Sequence, residues 1–320
     1  MAKNGLPAAM PNPSVGAVIV YDGKIIGEGY TSAYGGAHAE VNAIAFAKAH
    51  YPDLLADATI YVSLEPCSHH GKTPPCADLI IDSGIKNVVI GMVDPFAKVA
   101  GAGIKKLMMA GCTVTMGILE EACRESNQRF FTFHEKKRPY IILKWAETAD
   151  GYIAPKKRNT QEPVWITNTI SRQLVHKWRS EEQAILVGGQ TVLADNPSLT
   201  TRSWEGKSPL RVVLETHGNL PKTLSVFDKN APTLFLTTAH PQHICDRLFK
   251  EGIQSVIIEG GAKTLQSFID ANLWDTARVF IGKTTFGAGI TAPTLSENAI
   301  EVSKKHIEDD LLISYKNKTS

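Results

Sequence analysis

The sequence predicts two consecutive α/β domains, on three observations: strands alternating with helices along the chain, a charged break near the middle, and 320 residues to divide. A domain usually takes about 100–200 residues, so the length suits two. The break is Glu135-Lys136-Lys137-Arg138 before Pro139. It divides the chain into domains 1–137 and 138–320, although the same run also reads as a solvated helix end. Strands and helices alternating at this spacing imply parallel or mixed sheets with helices packed on their faces.

In order, residues 14–20 and 24–30 alternate around Asp22-Gly23, the pattern of a β-hairpin. A helix is expected over 38–50, with Val41, Ile44 and Ala45 on one side. Residues 59–64 form a short β-branched strand, 76–83 a helix stopped by Gly84, and 87–92 the next strand. A helix at 103–110, a strand at 113–116 and a helix over 119–134 complete the first domain. The second begins with a strand at 140–144, a helix at 171–180 and a strand at 184–187. Strands follow at 210–214, 233–236, 255–258 and 277–281, with a helix at 263–271 between the last two. There is no internal repeat, and no GxGxxG opens either half, which leaves a Rossmann-type dinucleotide fold with little support.

Hydrophobic residues make up 43% and charged residues 21%, a soluble globular composition. A net charge of +2 argues against a nucleic-acid partner, which would call for a concentrated basic patch. No apolar run approaches the roughly 20 residues of a membrane span, and the N-terminus lacks the apolar segment of a signal peptide. Five cysteines, an odd number, suit a reducing compartment, so the cytoplasm is expected.

The specific signal is His38-Ala39-Glu40 followed by Pro66-Cys67 and Pro75-Cys76. One histidine and two cysteines give Zn²⁺ three protein ligands and leave the fourth position to water. His38 and Cys76 both fall at expected helix starts, where the helix dipole favours thiolate over thiol. Glu40, two residues past His38, is placed as a carboxylate that moves protons between the water and a departing amine. His-x-Glu with Pro-Cys is the generic signature of zinc deaminases. That signature has two residues between its cysteines, whereas here 68–75 intervene, including His69, His70 and Lys72. A closed structural site with His69 or His70 as fourth ligand is the alternative. Cys112 and Cys123 lie far from the cluster, on expected core elements.

Pro11-Asn12-Pro13-Ser14-Val15-Gly16, the His-Ala-Glu, and above all Leu64-Glu65-Pro66-Cys67-Ser68-His69-His70-Gly71-Lys72-Thr73-Pro74-Pro75-Cys76 closely resemble the bifunctional riboflavin-biosynthesis deaminase/reductases. The resemblance continues through Asp150-Gly151, Trp165-Ile166-Thr167, the run from Thr191 to Pro197, and Glu259-Gly260-Gly261, and so covers nearly the whole chain. It implies a cytidine-deaminase-like three-layer α/β/α domain followed by a dihydrofolate-reductase-like α/β domain. The first would deaminate a diaminopyrimidine ribosylamino 5′-phosphate, and the second would reduce its ribosyl group to ribityl with NADPH. By position, His38, Cys67 and Cys76 match the zinc ligands and Glu40 the proton shuttle. Asn12, Lys72 and Asp94 match deaminase substrate contacts. Ala146, Trp165, Thr191, Asp195, Thr216 and the stretch Gly261, Ala262, Lys263, Thr264, Leu265, Gln266 and Ser267 match the nicotinamide cofactor site. Arg179, Leu199, Arg202 and Glu259 match the reductase substrate site.

Physical chemistry supports part of this independently. Glu259-Gly260-Gly261 follows an apolar strand and opens a helix, a geometry that offers backbone N–H groups to phosphate, although without the resemblance the two glycines read equally well as a tight turn. Arg179 and Arg202 could grip a phosphate through paired N–H groups. Trp165 taken alone reads as core. Two departures stand out: Thr148-Ala149 replaces the usual Ser-Leu before Asp150-Gly151, and Pro163 replaces a serine, so no substrate contact is carried to it. Relatives also carry a helix ahead of the position of Met1. From this one expects either an upstream start or a less stable deaminase half, unless a neighbouring subunit covers the face. A homo-oligomer acting on a small molecule is expected. The competing readings are a nucleoside or tRNA-type deaminase with a non-catalytic C-terminal domain, and a zinc-stabilised interaction protein.

Overall fold

The computed structural model describes residues 1–70, 74–95, 101–157 and 160–319, and the chain divides into two units, Met1–Lys136 and Lys137–Ser320. The first opens with the hairpin β1 (Gly16–Tyr21) and β2 (Lys24–Tyr30). Its turn residues Asp22 and Gly23 both take positive φ, 45° and 72°, as the twist of a two-residue hairpin requires. Then come α1 (Ala39–His50), β3 (Thr59–Val62), α2 (Cys76–Asp82), β4 (Asn87–Ile90), α3 (Ala102–Met109), β5 (Thr113–Met116), α4 (Glu120–Ser126) and α5 (Gln128–Lys136). The sheet order is β2-β1-β3-β4-β5, with β3, β4 and β5 parallel and β1 antiparallel to both its neighbours.

One core gathers Ile19, Ile60 and Val88 of the sheet with Ile44 of α1, Ile80 of α2 and Leu107 of α3. The start of α1 lies so close to β2 that a Cβ on Gly29 would stand 2.2 Å from the Ala39 carbonyl oxygen. Only glycine permits that approach, and it seats the helix turn that carries His38 and Glu40. The helix expected over 119–134 is in fact two, broken at Asn127, which takes φ −119° and ψ 21°. The cause is its side chain. The Asn127 amide accepts from Ser14 N at 2.8 Å and donates to Ser14 O at 3.0 Å, bonds that turn it out of the helical path.

The second unit comprises β6 (Tyr140–Glu147), β7 (Tyr152–Pro155), α6 (Thr169–Glu181), β8 (Ala184–Gly188), α7 (Gly189–Asp195), β9 (Leu210–Leu214) and β10 (Thr233–Leu236). It continues with α8 (Pro241–Lys250), β11 (Ser255–Gly260), α9 (Ala262–Asp270), β12 (Thr276–Ile281), β13 (Gly289–Thr291), β14 (Ala299–Ile307) and β15 (Asp310–Asn317). Eight strands form one sheet in the order β10-β9-β8-β11-β6-β12-β15-β14. It is parallel from β10 to β12 and antiparallel through β15 and β14. The central strands are covered on both faces, which is why they read as unbroken apolar runs such as Ile141-Ile142-Leu143 and Ala184-Ile185-Leu186-Val187. β7, α7, α8 and β13–β15 were not anticipated from the sequence. Among the described residues no helix is long and apolar enough to cross a membrane.

The entry to β6 is fixed by a buried ion pair. Arg138 donates to Asp275 through Nη1 at 2.6 Å and Nη2 at 2.8 Å, with the side chains only 8% and 2% exposed. Asp275 also accepts from Ile141 N at 2.7 Å. Removing the cation leaves a buried carboxylate without its counter-charge. Arg138→Met is therefore expected to destabilise the second unit by about 3–5 kcal/mol, read from denaturant unfolding of the full chain.

Candidate active sites

In the first unit the chain brings one nitrogen and two sulfurs together. His38 is the N-cap of α1, and Cys76 opens α2 behind Pro75. Cys67 lies on the segment that leaves β3. The ligand atoms of His38, Cys67 and Cys76 all lie within 4.8 Å of one another. His38 Nδ1 is 3.3 Å from Cys76 Sγ and 3.6 Å from Cys67 Sγ, and the Cys76 backbone N–H donates to Cys67 Sγ at 3.3 Å. These contacts divide the charges unevenly. The Cys67 thiol is drawn down to about 4, chiefly by its hydrogen bond with Cys76. Cys76 is driven up, first by that same bond and then by burial. His38 is raised through its hydrogen bond to Cys67.

One imidazole and two sulfurs, with no fourth protein ligand in the group among the described residues, is the donor set of a catalytic zinc centre. His69 and His70 are both exposed and stand outside it, which removes the closed structural site. Glu40 lies in the first turn of α1, 3% exposed, and burial pushes its carboxyl up. Asn12 is half-buried, its N–H bonded to Ala9 O at 3.0 Å. Asp94 follows β4 and donates its N–H to Glu65 Oε2 at 3.3 Å. Lys72 lies outside the described residues.

In the second unit Thr191 follows β8, Thr216 follows β9 and Glu259 lies at the end of β11. Thr191, in α7, accepts from Gly261 N through its hydroxyl at 2.9 Å, joining two positions 70 residues apart. Gly261 is the N-cap of α9, and Ala262, Lys263, Thr264, Leu265, Gln266 and Ser267 form that helix's first turns. Leu265 points into the core at 1% exposed, so it can offer a ligand only main-chain atoms. The same holds for Leu199, 3% exposed at φ 56°. Ala146 lies half-buried on β6, Asp195 closes α7, and Thr216 is exposed just after β9. Trp165 is not core: it is 60% exposed, with the Arg172 guanidinium 4.8 Å from its ring centroid. Its apolar neighbours in sequence gave the wrong cue.

Arg179 departs from expectation in another way. Its Nε and Nη2 donate to the two oxygens of Glu259 at 3.1 and 2.7 Å, and its Nη1 to Thr200 O at 3.3 Å. Its fork therefore faces a carboxylate of the protein. Arg202 donates from Nη1 to Thr200 Oγ1 at 3.3 Å. Burial pushes Glu259 up, but the charges of Arg179 and Lys144 outweigh it and hold the carboxyl at about 2. Sequence reasoning missed Lys144 and His176. A lysine inside the apolar strand Tyr140-Ile141-Ile142-Leu143-Lys144-Trp145 was the available signal for the first.

These two sites define a class: a zinc-binding deaminase unit followed by a second α/β unit whose helix α9 starts at the glycine-rich end of β11. A profile of the cytidine and deoxycytidylate deaminase zinc-binding region matches residues 1–92, and one of the RibD C-terminal domain matches residues 139–311. The chain is 38% identical to the riboflavin biosynthesis protein RibD of Aquifex aeolicus, across 99% of this chain and 95% of that one. It is 33% identical to RibD of Escherichia coli, covering 90% and 86%. The crystal structure of a diaminohydroxyphosphoribosylaminopyrimidine deaminase/5-amino-6-(5-phosphoribosylamino)uracil reductase from Thermotoga maritima superposes with a TM-score of 0.90 at 39% identity, over 99% and 95% of the two chains. The chain belongs to the RibD family of riboflavin-biosynthesis deaminase/reductases.

His176 supplies a pH test of the second site. Its Nδ1 accepts from Arg202 N at 3.2 Å, and burial, then Arg179 and Arg202, hold it at about 4, below its ordinary 6.5. The unfolded chain thus binds this proton more readily than the folded one. Stability from this residue is present above pH 6.5 and is lost as pH falls toward about 4. His176→Asn is expected to flatten the fall in unfolding free energy across that window. Equal slopes for the two proteins would contradict the assignment.

Proposed function

We propose that residues 1–137 deaminate diaminohydroxyphosphoribosylaminopyrimidine and that residues 138–320 reduce the product's ribosyl group to ribityl with NADPH. The observation that carries this is the three-ligand group of His38, Cys67 and Cys76 with buried Glu40 in the adjoining helix turn. Zinc held by those three residues supplies an activated water. Glu40 takes a proton from the attacking water, whose oxygen bonds to the amino-bearing carbon, and delivers it to the exocyclic nitrogen, so that the C–N bond breaks and ammonia leaves. Asn12, Lys72 and Asp94 orient the pyrimidine and its phosphate.

In the second unit NADPH, when bound, supplies the hydride. The first-turn N–H groups of α9, at Ala262, Lys263 and Thr264, would offer donors to its phosphates, and Gly261, Leu265, Gln266 and Ser267 with Ala146, Trp165, Thr191, Asp195 and Thr216 would complete its site. Glu259, Leu199 and Arg202 hold the substrate. Because Arg179 is engaged with Glu259, the phosphate falls to Arg202, and Arg179 acts by fixing Glu259. We further propose a cytoplasmic homo-oligomer with no nucleic-acid partner.

The direct test is to incubate the protein with the diaminopyrimidine phosphate, with and without NADPH, and identify products by mass. Deamination alone without NADPH and both changes with it are expected; deamination alone in both would favour a deaminase with a non-catalytic C-terminal domain. Glu40→Gln should retain zinc and lose deamination by about 10²–10⁴-fold, measured as metal content and ammonia release together. Arg202→Ala should raise the reductase KM for the deaminated substrate more than the KM for NADPH. The reverse order would remove Arg202 from the substrate site.

A further inference from the structure

We infer that Asn127 is a positioning residue for the deaminase: its amide fixes the 11–14 loop against the strand end that leads to Cys67. Asn127 and Ser14 are 4% and 1% exposed, and they lie 113 residues apart. The amide oxygen accepts from Ser14 N at 2.8 Å while the amide nitrogen donates to Ser14 O at 3.0 Å. Both backbone groups of one loop residue are thereby satisfied by one side chain. Only a group that donates and accepts at once can do this, and a carboxylate cannot.

The connection continues toward the metal ligands. Gly16 and Ser63 are tied twice, Gly16 N to Ser63 Oγ and Ser63 N to Gly16 O, both at 3.0 Å. Val15 packs with Leu64, Met92, Phe130 and Phe131. The helix that starts beside Asn127 therefore braces two segments at once: Asn127 clamps the loop, and Phe130 and Phe131 support Leu64, three residues before Cys67. The break between α4 and α5 falls at the residue that makes this clamp. The inference rests on the proposed deamination, with Asn12 as the loop residue that meets the pyrimidine.

The test uses the full chain with Asn127→Asp, which keeps the size but sets a carboxylate oxygen against the Ser14 carbonyl, and Asn127→Ala, which removes both bonds. Zinc per chain, the reductase rate, and kcat and KM for ammonia release are measured. Leaving two buried backbone groups unpaired is expected to raise the deaminase KM about tenfold while kcat changes less than about threefold. Zinc content and reductase rate stay as in the parent. If Asn127→Asp does not retain zinc, Asn127→Ala decides the matter. An unchanged KM in a zinc-replete variant overturns the inference, and so does loss of zinc from both variants, which would assign Asn127 to folding alone. A parent chain that releases no ammonia from the diaminopyrimidine phosphate overturns the functional reading itself.

Discussion

Two cysteine sulfurs and a histidine nitrogen held within 4.8 Å of one another can share one cation. Without one, two thiolates at such range would repel each other, and Cys67 is drawn down while Cys76 is driven up, first by the hydrogen bond between them. A divalent cation resolves it, because two thiolates then balance two positive charges and the imidazole stays neutral. The fold of the first unit serves this gathering. α1 starts at His38 because Gly29 lets it lie against β2, and α2 starts at Cys76 because Pro75 precedes it. Both ligands thus occupy helix N-termini, where the peptide dipoles add to the field that favours anionic sulfur.

The second unit meets a related problem with charges of its own side chains. Glu259 is charged and nearly enclosed, and a buried carboxylate is tolerable only when opposed by cations and satisfied by hydrogen bonds. Arg179 provides a bidentate contact and Lys144 a second charge, while His176 stays neutral beside both arginines. A further arginine, Arg211, is fully buried and donates to Ser225 O and Asp228 Oδ1, both at 2.9 Å. It pins the segment after β9 close to the loop carrying Asn196, whose side chain accepts from Ser225 N at 2.7 Å. The loop with the positive-φ residues Asn196 and Leu199 is therefore held from beneath by charge and hydrogen bonding together.

What could be read in the sequence were features written locally. Asp22-Gly23 announces its hairpin because φ above zero is a single-residue requirement, and His38-Ala39-Glu40 announces its site because helix starts place both residues within one turn. The parallel strands were legible as apolar runs. The break at Asn127 was not, because its cause, Ser14, lies 113 residues away. Trp165 taken alone read as core for the same reason: whether a tryptophan is covered depends on what the fold lays over it. β14 and β15 carry mixed polar and apolar residues, since β14 is an edge strand with most of its side chains exposed, and edge strands lose the simple pattern that burial imposes. Lys144 was overlooked because a single lysine in an apolar strand looks like an ordinary interruption until its carboxylate partner is known.

The two units place their candidate residues by one topological rule. In open sheets with parallel strands, ligands bind beyond the carboxyl ends, where loops diverge and helix N-termini point inward. Cys67 and Asp94 follow β3 and β4, which run parallel in the first sheet. Ala146 lies toward the end of β6, Thr191 follows β8, Thr216 follows β9, and Glu259-Gly260 closes β11, all parallel neighbours in the second. This rule also accounts for which side chains are absent from the sites. Residues at the amino ends of these strands, such as Arg138 and Asp275, carry equally strong charges but pair with each other in the interior. At the carboxyl end the charges are paired too, Glu259 with Arg179, but loops and helix starts gather around them. At the amino end the pair fixes the entry to β6, so the same kinds of residue become structural.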